Sequence, residues 1–410
     1  MRRIDASERR ARLAIRHHVA AASRVDSAWE AAHGVVCLHA TDAATVYLSA
    51  WARMREPSLE AVEAALYEGR RLVRMLAMRR TMFVVPVEEA PVLQAAAARG
   101  VAAVERRRNQ QLASMLGVED VEGWLREAEE STIAALARRG EATAQELSTD
   151  VPALARKIRV NMGKAYEGDI GVSSRILILL AADGRIVRAR PRGTWVSSQY
   201  RWAPLERWLG GPLEELPAEE AQARLVGRWL ARFGPGTEAD LRWWTGLTAR
   251  VVRSALATVG AVEVDVEAGG PVGYVLPDDL EVTPDPGPWV ALLPALDSTT
   301  MGWQGRDWYL GEHRAQLFDG NGNAGPTIWA DGRIVGGWGI RDGGEVATGL
   351  LEDVGREVKA AVEAEAARLT SLLGSVRVMP RFPTPLQLKL VGRPALEHPT
   401  GGVKARCRSV

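Results

Sequence analysis

The sequence predicts an α+β fold: three tandem winged helices followed by a β-rich, barrel-like domain carrying one helix. Three observations lead there. A ten-residue signature occurs twice, "RRGEATAQEL" at Arg138–Leu147 and "RFGPGTEADL" at Arg232–Leu241. Each copy is followed by a helical stretch and a hairpin, and from Pro286 the texture changes to short apolar strands separated by turns. The boundaries that result are 1–125, 126–218, 219–285 and 286–410. A chain of 410 residues exceeds what one hydrophobic core usually organises, in keeping with several domains.

The first unit opens with a basic helix. Ser27, with Glu30 three residues on, then forms a capping box for a second helix, expected to run to His39 or Ala40. Asp42 caps a third, which carries Tyr47 and Trp51 on one apolar side. "RLVRMLAMRRTMFVVP" reads as strand, turn, strand, with Arg79, Arg80 and Thr81 between two apolar runs. Three helices and a hairpin describe a winged helix.

In both signature copies a glycine ends one helix and a threonine opens the next, with an acid three residues later: Thr143/Glu146 and Thr237/Asp240. The first copy leads to "SSRILILLAADG" and the hairpin "RIVRARPRGTWVSSQYRW". The second leads to "TARVVRSALATV" and the alternating "EVDVEAGGPVGYVLP". In the last domain, Asp331-Gly332 between apolar runs is a strong two-residue hairpin signal. "LEDVGREVKAAVEAEAARLTSLLG" is one amphipathic helix, and "RFPTPLQLKLVG" reads as a closing strand.

Composition narrows the function. A formal net charge of +1 excludes a bulk polycation, so any nucleic-acid binding has to come from local clusters. Few of the 52 basic residues are lysine; arginine suits phosphate and base edges, and a GC-rich genome enriches it equally well. Cys37 and Cys407 support neither a disulfide framework nor a cysteine zinc site. No apolar run approaches membrane-spanning length and no secretory h-region follows the basic start. The expectation is a cytoplasmic, nucleoid-associated monomer with no metal and no small-molecule cofactor.

The clearest electrostatic feature is the second wing. Arg185, Arg188, Arg190, Arg192 and Arg201 occur without an intervening acid. Arg188, Arg190 and Arg192 alternate and so share one face of a strand. Either contact with double-stranded DNA or a charged edge that resists aggregation accounts for such a face; within a winged helix, DNA contact is preferred. Arg79 and Arg80 of the first wing join it, as do Arg250 and Arg253 of the third unit's candidate recognition helix. "SSRILILLAADG" is too apolar to read bases, and Arg106–Arg108 read as a solvated face. No P-loop, dinucleotide fingerprint or serine elbow is present, and "GNGNAG" lies between strands as a turn.

His39, Thr41 and Asp42 close the segment "GVVCLHATDAATVYLSAWAR". An imidazole accepts a proton from water near neutral pH, a threonine hydroxyl holds that water, and the aspartate orients the histidine or simply caps a helix. From the residues alone, a structural histidine near a helix end is the preferred reading.

Together, "LHATDAATVYLSAWAR", "MLAMRRTMFVVP", "WLARFGPGTEADLRWWTGL", "LLPALDSTTMGWQGRDWYL" and "GNAGPTIWADGRIVGGW" resemble the AlkZ/YcaQ-type winged-helix family, which includes DNA glycosylases acting on alkylated and crosslinked DNA. The resemblance spans roughly residues 8 to 385, with Asp297 and Arg306 in its most specific segment. It implies a C-shaped protein holding duplex DNA in a concave channel. It also implies that the residues at His39 and Thr41 position the hydrolytic water and support the cationic sugar. Glycosylase members carry glutamine at the first of these positions and glutamine or aspartate at the second; this chain differs at both. On this reading the protein hydrolyses the N-glycosidic bond of alkylated, including bulky or crosslinked, purines. The alternatives are a catalytically silent DNA-binding regulator or lesion binder, and an interaction scaffold.

Overall fold

The computed structural model describes residues 1–164, 167–378 and 381–394, so Cys407 lies outside the described residues. The fold is mixed α and β, and it divides into two compact units. One comprises residues 1–65 and 223–410, the other residues 66–222.

In the first unit the chain begins as a short strand, Arg2–Arg3, and then a helix, Ala6–Arg16, capped by Asp5 through the Glu8 amide at 2.9 Å. Ser27 and Glu30 form the expected capping box. The helix it opens, Ala28–Gly34, ends well short of His39. Gly34 is pressed against the His18 ring where no Cβ fits, and the β-branched Val35 and Val36 follow, Val36 with φ of 64°. The chain therefore leaves the helix early and returns extended as Leu38–His39. Asp42 then caps Ala43–Trp51, whose nine residues are all buried.

The second signature copy builds the sheet beside this N-terminus. Its four strands lie in the order Arg2–Arg3, Val262–Asp265, Val272–Val275, Gly236–Thr237. The N-terminal strand runs parallel to Val262–Asp265, and Ile4 buries against Val264 and Val275. Thr237 and Asp240 cap Glu238–Thr245, and Thr248 caps Ala249–Thr258.

The C-terminal region forms an open sheet rather than a closed barrel. Val290–Leu293, Thr327–Ala330, Arg333–Ile340 and Val346–Leu350 pair antiparallel in sequence order, with Val290–Leu293 and Val346–Leu350 at the edges. Asp331 and Gly332 turn the expected hairpin with φ of 47° and 80°, the left-handed pair that matches strand twist. The long helix Gly355–Leu373 covers both edge strands. The predicted closing strand is instead the helix Pro385–Leu390, packed on Arg333–Ile340. Pro385 presets its first turn, and Leu386, Gln387 and Leu388 are buried together, which a strand cannot do on one face.

The second unit contains the hairpin Leu72–Leu76 and Met82–Pro86, as expected. Long helices follow at Arg99–Ala113 and Val121–Arg139, then the Thr143/Glu146 capping box. The buried helix Val172–Ala182 precedes the hairpin Ile186–Pro191 and Tyr200–Pro204, to which Ala142–Thr143 adds a third strand. A further hairpin, Lys157–Val160 with Gly168–Gly171, was not expected; its second strand is glycine-rich and carries little strand propensity.

Candidate functional site

His39 is half-buried at the end of its short strand, and the Thr41 amide faces its Nδ1 at 3.4 Å. The chain thus makes a tight turn that folds Thr41 back on the imidazole. The Thr41 hydroxyl is half-buried and has no hydrogen-bond partner among the described residues. Asp42 is occupied: its carboxylate accepts from the Ala44 amide at 3.1 Å and the Arg381 amide at 3.2 Å. Burial raises its pKa above the ordinary carboxylate range, and these two amides partly offset that rise. Its placement is that of a helix cap.

The turn is anchored through the next helix to the "LDSTT" loop. Ser298 donates to the Cys37 carbonyl at 2.7 Å and Thr45 donates to the Ala295 carbonyl at 2.9 Å. One turn further, Ser49 donates to Asp297 at 2.6 Å. Arg53 then closes on both Asp297 oxygens at 2.9 and 2.7 Å and donates to the Thr299 hydroxyl at 2.8 Å. Burial by itself would raise the Asp297 carboxyl, but Arg53, Ser49 and the Thr299 amide outweigh it and hold the pKa below the usual range. Thr299 in turn meets His17 Nδ1 at 2.8 Å. A chain of buried polar contacts therefore fixes the backbone on both sides of His39 and Thr41. Arg53, Ser49 and Ser298 are not among the residues the sequence singles out; the available signal is an arginine just beyond an uncharged helix.

The arginines expected to meet DNA fall into different situations. Arg79 is exposed and Arg80 half-buried, both with left-handed φ of 52° and 62° in the tip of their hairpin. Arg80 pairs with Glu105 at 2.8 Å. Arg188 lies over Tyr200 and Trp202, 5.2 Å from each ring centre. Arg190 covers Tyr67 at 4.7 Å and meets Glu68 at 3.7 Å. Arg192 is exposed, but it does not continue their alternation. The register shifts between Arg188 and Pro191, the strand ends at Pro191, and Arg192 lies beyond it. Arg250 is exposed without an ion pair among the described residues, and Arg253 reaches Glu238 at 3.5 Å. Arg106 departs from the expected solvated face: it bridges Glu129 at 2.8 Å and Asp183 at 2.7 Å.

A cleft of about 450 Å³ was also missed. Arg70, Arg139, Arg201 and Arg207 line it together with Glu141, Glu146 and Trp208. Arg139 is paired with Asp150, whereas Arg201 and Arg207 have no acidic partner among the described residues. Among the described residues no group of three His, Cys, Asp or Glu is placed to hold a metal ion. No helix among them is long and apolar enough to cross a membrane.

The "DNA glycosylase AlkZ-like" family matches residues 32–372. The chain belongs to that family. It is 28% identical over 171 residues to a Streptomyces sahachiroi protein described as an interstrand DNA cross-link repair glycosylase. That match covers 40% of this chain and 46% of the relative, so it spans about half of the relative's length. The solved structure of the Streptomyces sahachiroi DNA glycosylase AlkZ superposes with a TM-score of 0.69 at 23% identity. It covers 92% of this chain and 99% of that one, and the likeness shows a shared fold. The AlkZ-like match takes in His39, Thr41 and the Arg53–Asp297 pair, whereas the N-terminal strand and helix lie before it.

Proposed function

We propose that this AlkZ-like protein is a monofunctional DNA glycosylase that hydrolyses the N-glycosidic bond of alkylated purines in double-stranded DNA, including bulky or crosslinked adducts. In this reading the helix–hairpin units of 1–125, 126–218 and 219–285 are winged helices, and the protein acts as a monomer. The observation that carries it is the His39–Thr41 turn: an imidazole and an unengaged hydroxyl, two residues apart, on backbone anchored by buried contacts.

The chemistry asks little more. Alkylation at a purine N7 or N3 places positive charge on the base, so the C1′–N bond breaks with its electron pair leaving on a base that becomes neutral. The sugar passes through an oxocarbenium-like state, which a placed water attacks at C1′. Thr41 Oγ1 holds that water, which replaces the long Thr41 amide contact at His39 Nδ1; Nδ1 accepts its proton, giving an abasic site and a protonated imidazole. Asp42 caps the following helix and so keeps Thr41 in place. Arg79, Arg80, Arg190, Arg192, Arg250 and Arg253 hold the duplex backbone, and Arg201 and Arg207 of the basic cleft contribute further phosphate contacts.

The test is base release from a duplex containing N7-methylguanine, and then from one containing a bulky or crosslinking adduct. Abasic sites formed by the wild type and not by His39→Ala support the proposal. Duplex binding with no base release from any of these substrates supports the silent DNA-binding alternative, which the engagement of Asp42 by backbone amides would then favour.

A further inference from the structure

Arg306 is only 5% exposed, yet no carboxylate among the described residues forms an ion pair with it. Its Nε donates to the Trp303 carbonyl at 2.7 Å, and its two Nη groups have no acceptor among the described residues. The guanidinium lies over Trp243 at 4.7 Å and Phe318 at 5.2 Å. Arg314 covers the same Phe318 ring at 5.2 Å, and Arg9 covers Trp308 at 4.1 Å. Neither of those guanidiniums has a hydrogen-bond acceptor among the described residues. Trp308, under Arg9, packs at 5.1 Å on Trp303, the residue that holds Arg306, and Arg306 and Arg314 share Phe318, which places the three in one locale.

Three other buried arginines are instead matched with a carboxylate. Arg53 has Asp297, Arg12 has Asp279 at 2.9 Å, and Arg175 has Glu105 at 3.5 Å. Here the carboxylate acting on both Arg9 and Arg306 is Asp240, and its oxygens are already taken. Oδ2 accepts from the Thr237 amide and hydroxyl at 3.0 and 2.9 Å; Oδ1 accepts from the Gln304 and Gly305 amides at 2.8 and 3.0 Å. Glu267 adds a smaller pull on Arg9. Burial lowers the Arg9 pKa to about 10, the mark of a cation short of counter-charge. Aromatic faces compensate part of that deficit but leave the in-plane N–H donors unmet.

We infer that Arg306, Arg314 and Arg9 form a phosphate clamp for the DNA backbone, braced by the rings of Trp243, Phe318 and Trp308. A phosphodiester presents two non-bridging oxygens, sharing one negative charge, to the planar fork of a guanidinium, which supplies the acceptors these arginines lack. The inference rests on the proposed function for its ligand, since that reading makes DNA the partner. It predicts a contact outside both the hairpins and the His39 turn.

Two measurements on the full chain test it. In the first, anisotropy of a labelled, undamaged duplex is followed over a series of salt concentrations. Arg9→Ala with Arg314→Ala should lower the slope of log K against log salt by about 2 and weaken binding about tenfold or more. Arg306→Lys keeps the charge and loses the fork, so it should weaken binding while leaving the slope close to that of the wild type. In the second, thermal unfolding is compared in inorganic phosphate and in chloride at matched ionic strength. Phosphate should stabilise the wild type more than the Arg9→Ala/Arg314→Ala protein. A double variant with the wild-type salt slope and the wild-type response to phosphate would overturn the clamp, whatever its catalysis. The phosphate measurement needs no cleavage of DNA. Absence of base release by the wild type would therefore sink the proposed glycosylase while leaving this result standing.

Discussion

Arg53 and Asp297 form a two-point ion pair with both side chains fully buried, and it ties the end of the Ala43–Trp51 helix to the "LDSTT" loop. Removing one partner strands the other in the interior. Asp297→Asn should therefore cost about 3–5 kcal/mol, measured by urea unfolding near neutral pH. The pH dependence follows from the depressed Asp297 pKa. Its contribution is complete above the unfolded carboxylate value near 3.9 and fades as pH falls through the folded value. The wild type should lose stability over that acidic range, and Asp297→Asn should lose correspondingly less.

His17 adds a second pH effect. It is fully buried between Thr299, the Arg232 carbonyl and the Phe233 ring. Burial, then Arg53, pushes its pKa well below 6.5. A histidine held neutral stabilises the fold fully above its unfolded pKa, and that stability drains away as pH falls below it. His33, lowered to about 4 by burial and then by Arg228 and Arg232, acts in the same direction. Urea unfolding between about pH 6.5 and 4 should show declining stability, and His17→Gln should flatten the decline by up to about one proton.

The hairpin Ile186–Pro191 and Tyr200–Pro204 separates two roles for its arginines. Arg188 is stacked on Tyr200 and Trp202, so Arg188→Ala should lower stability by about 1–2 kcal/mol in thermal or urea unfolding. Arg190→Ala with Arg192→Ala should cost less stability than Arg188→Ala, since Arg190 stands over the single Tyr67 ring and Arg192 is exposed. It should reduce the salt dependence of duplex binding by about 1–2 in slope. An unchanged slope would remove these two residues from the DNA surface.

Much of the local structure could be read directly from residue patterns. The three capping boxes at Ser27, Thr143 and Thr237, and the hairpin at Asp331-Gly332, are written in a few adjacent residues and appear where expected. Packing overrides pattern at two places. "LQLKL" alternates like a strand, yet Pro385 starts a helix there because its leucines bury against the sheet. The helix from Ala28 stops at Gly34 because the His18 ring, from another helix end, fills the space beside it. The site was harder to see. His39 and Thr41 were visible as candidates, but Arg53 and Asp297 lie 244 residues apart, and no local spacing announces their contact. The arginines over Tyr200, Trp202 and Tyr67 likewise looked like a uniform basic face until the rings beneath them were placed.

Base release at saturating protein from duplex DNA carrying N7-methylguanine, comparing the wild type with His39→Ala and His39→Gln, tests the central claim most directly. The account predicts abasic sites from the wild type, a rate lower by about 10²–10⁴ in His39→Ala, and at most partial recovery in His39→Gln, whose amide holds a water but cannot accept its proton. Equal rates for the wild type and His39→Ala, with both proteins folded and bound to the duplex, would contradict it.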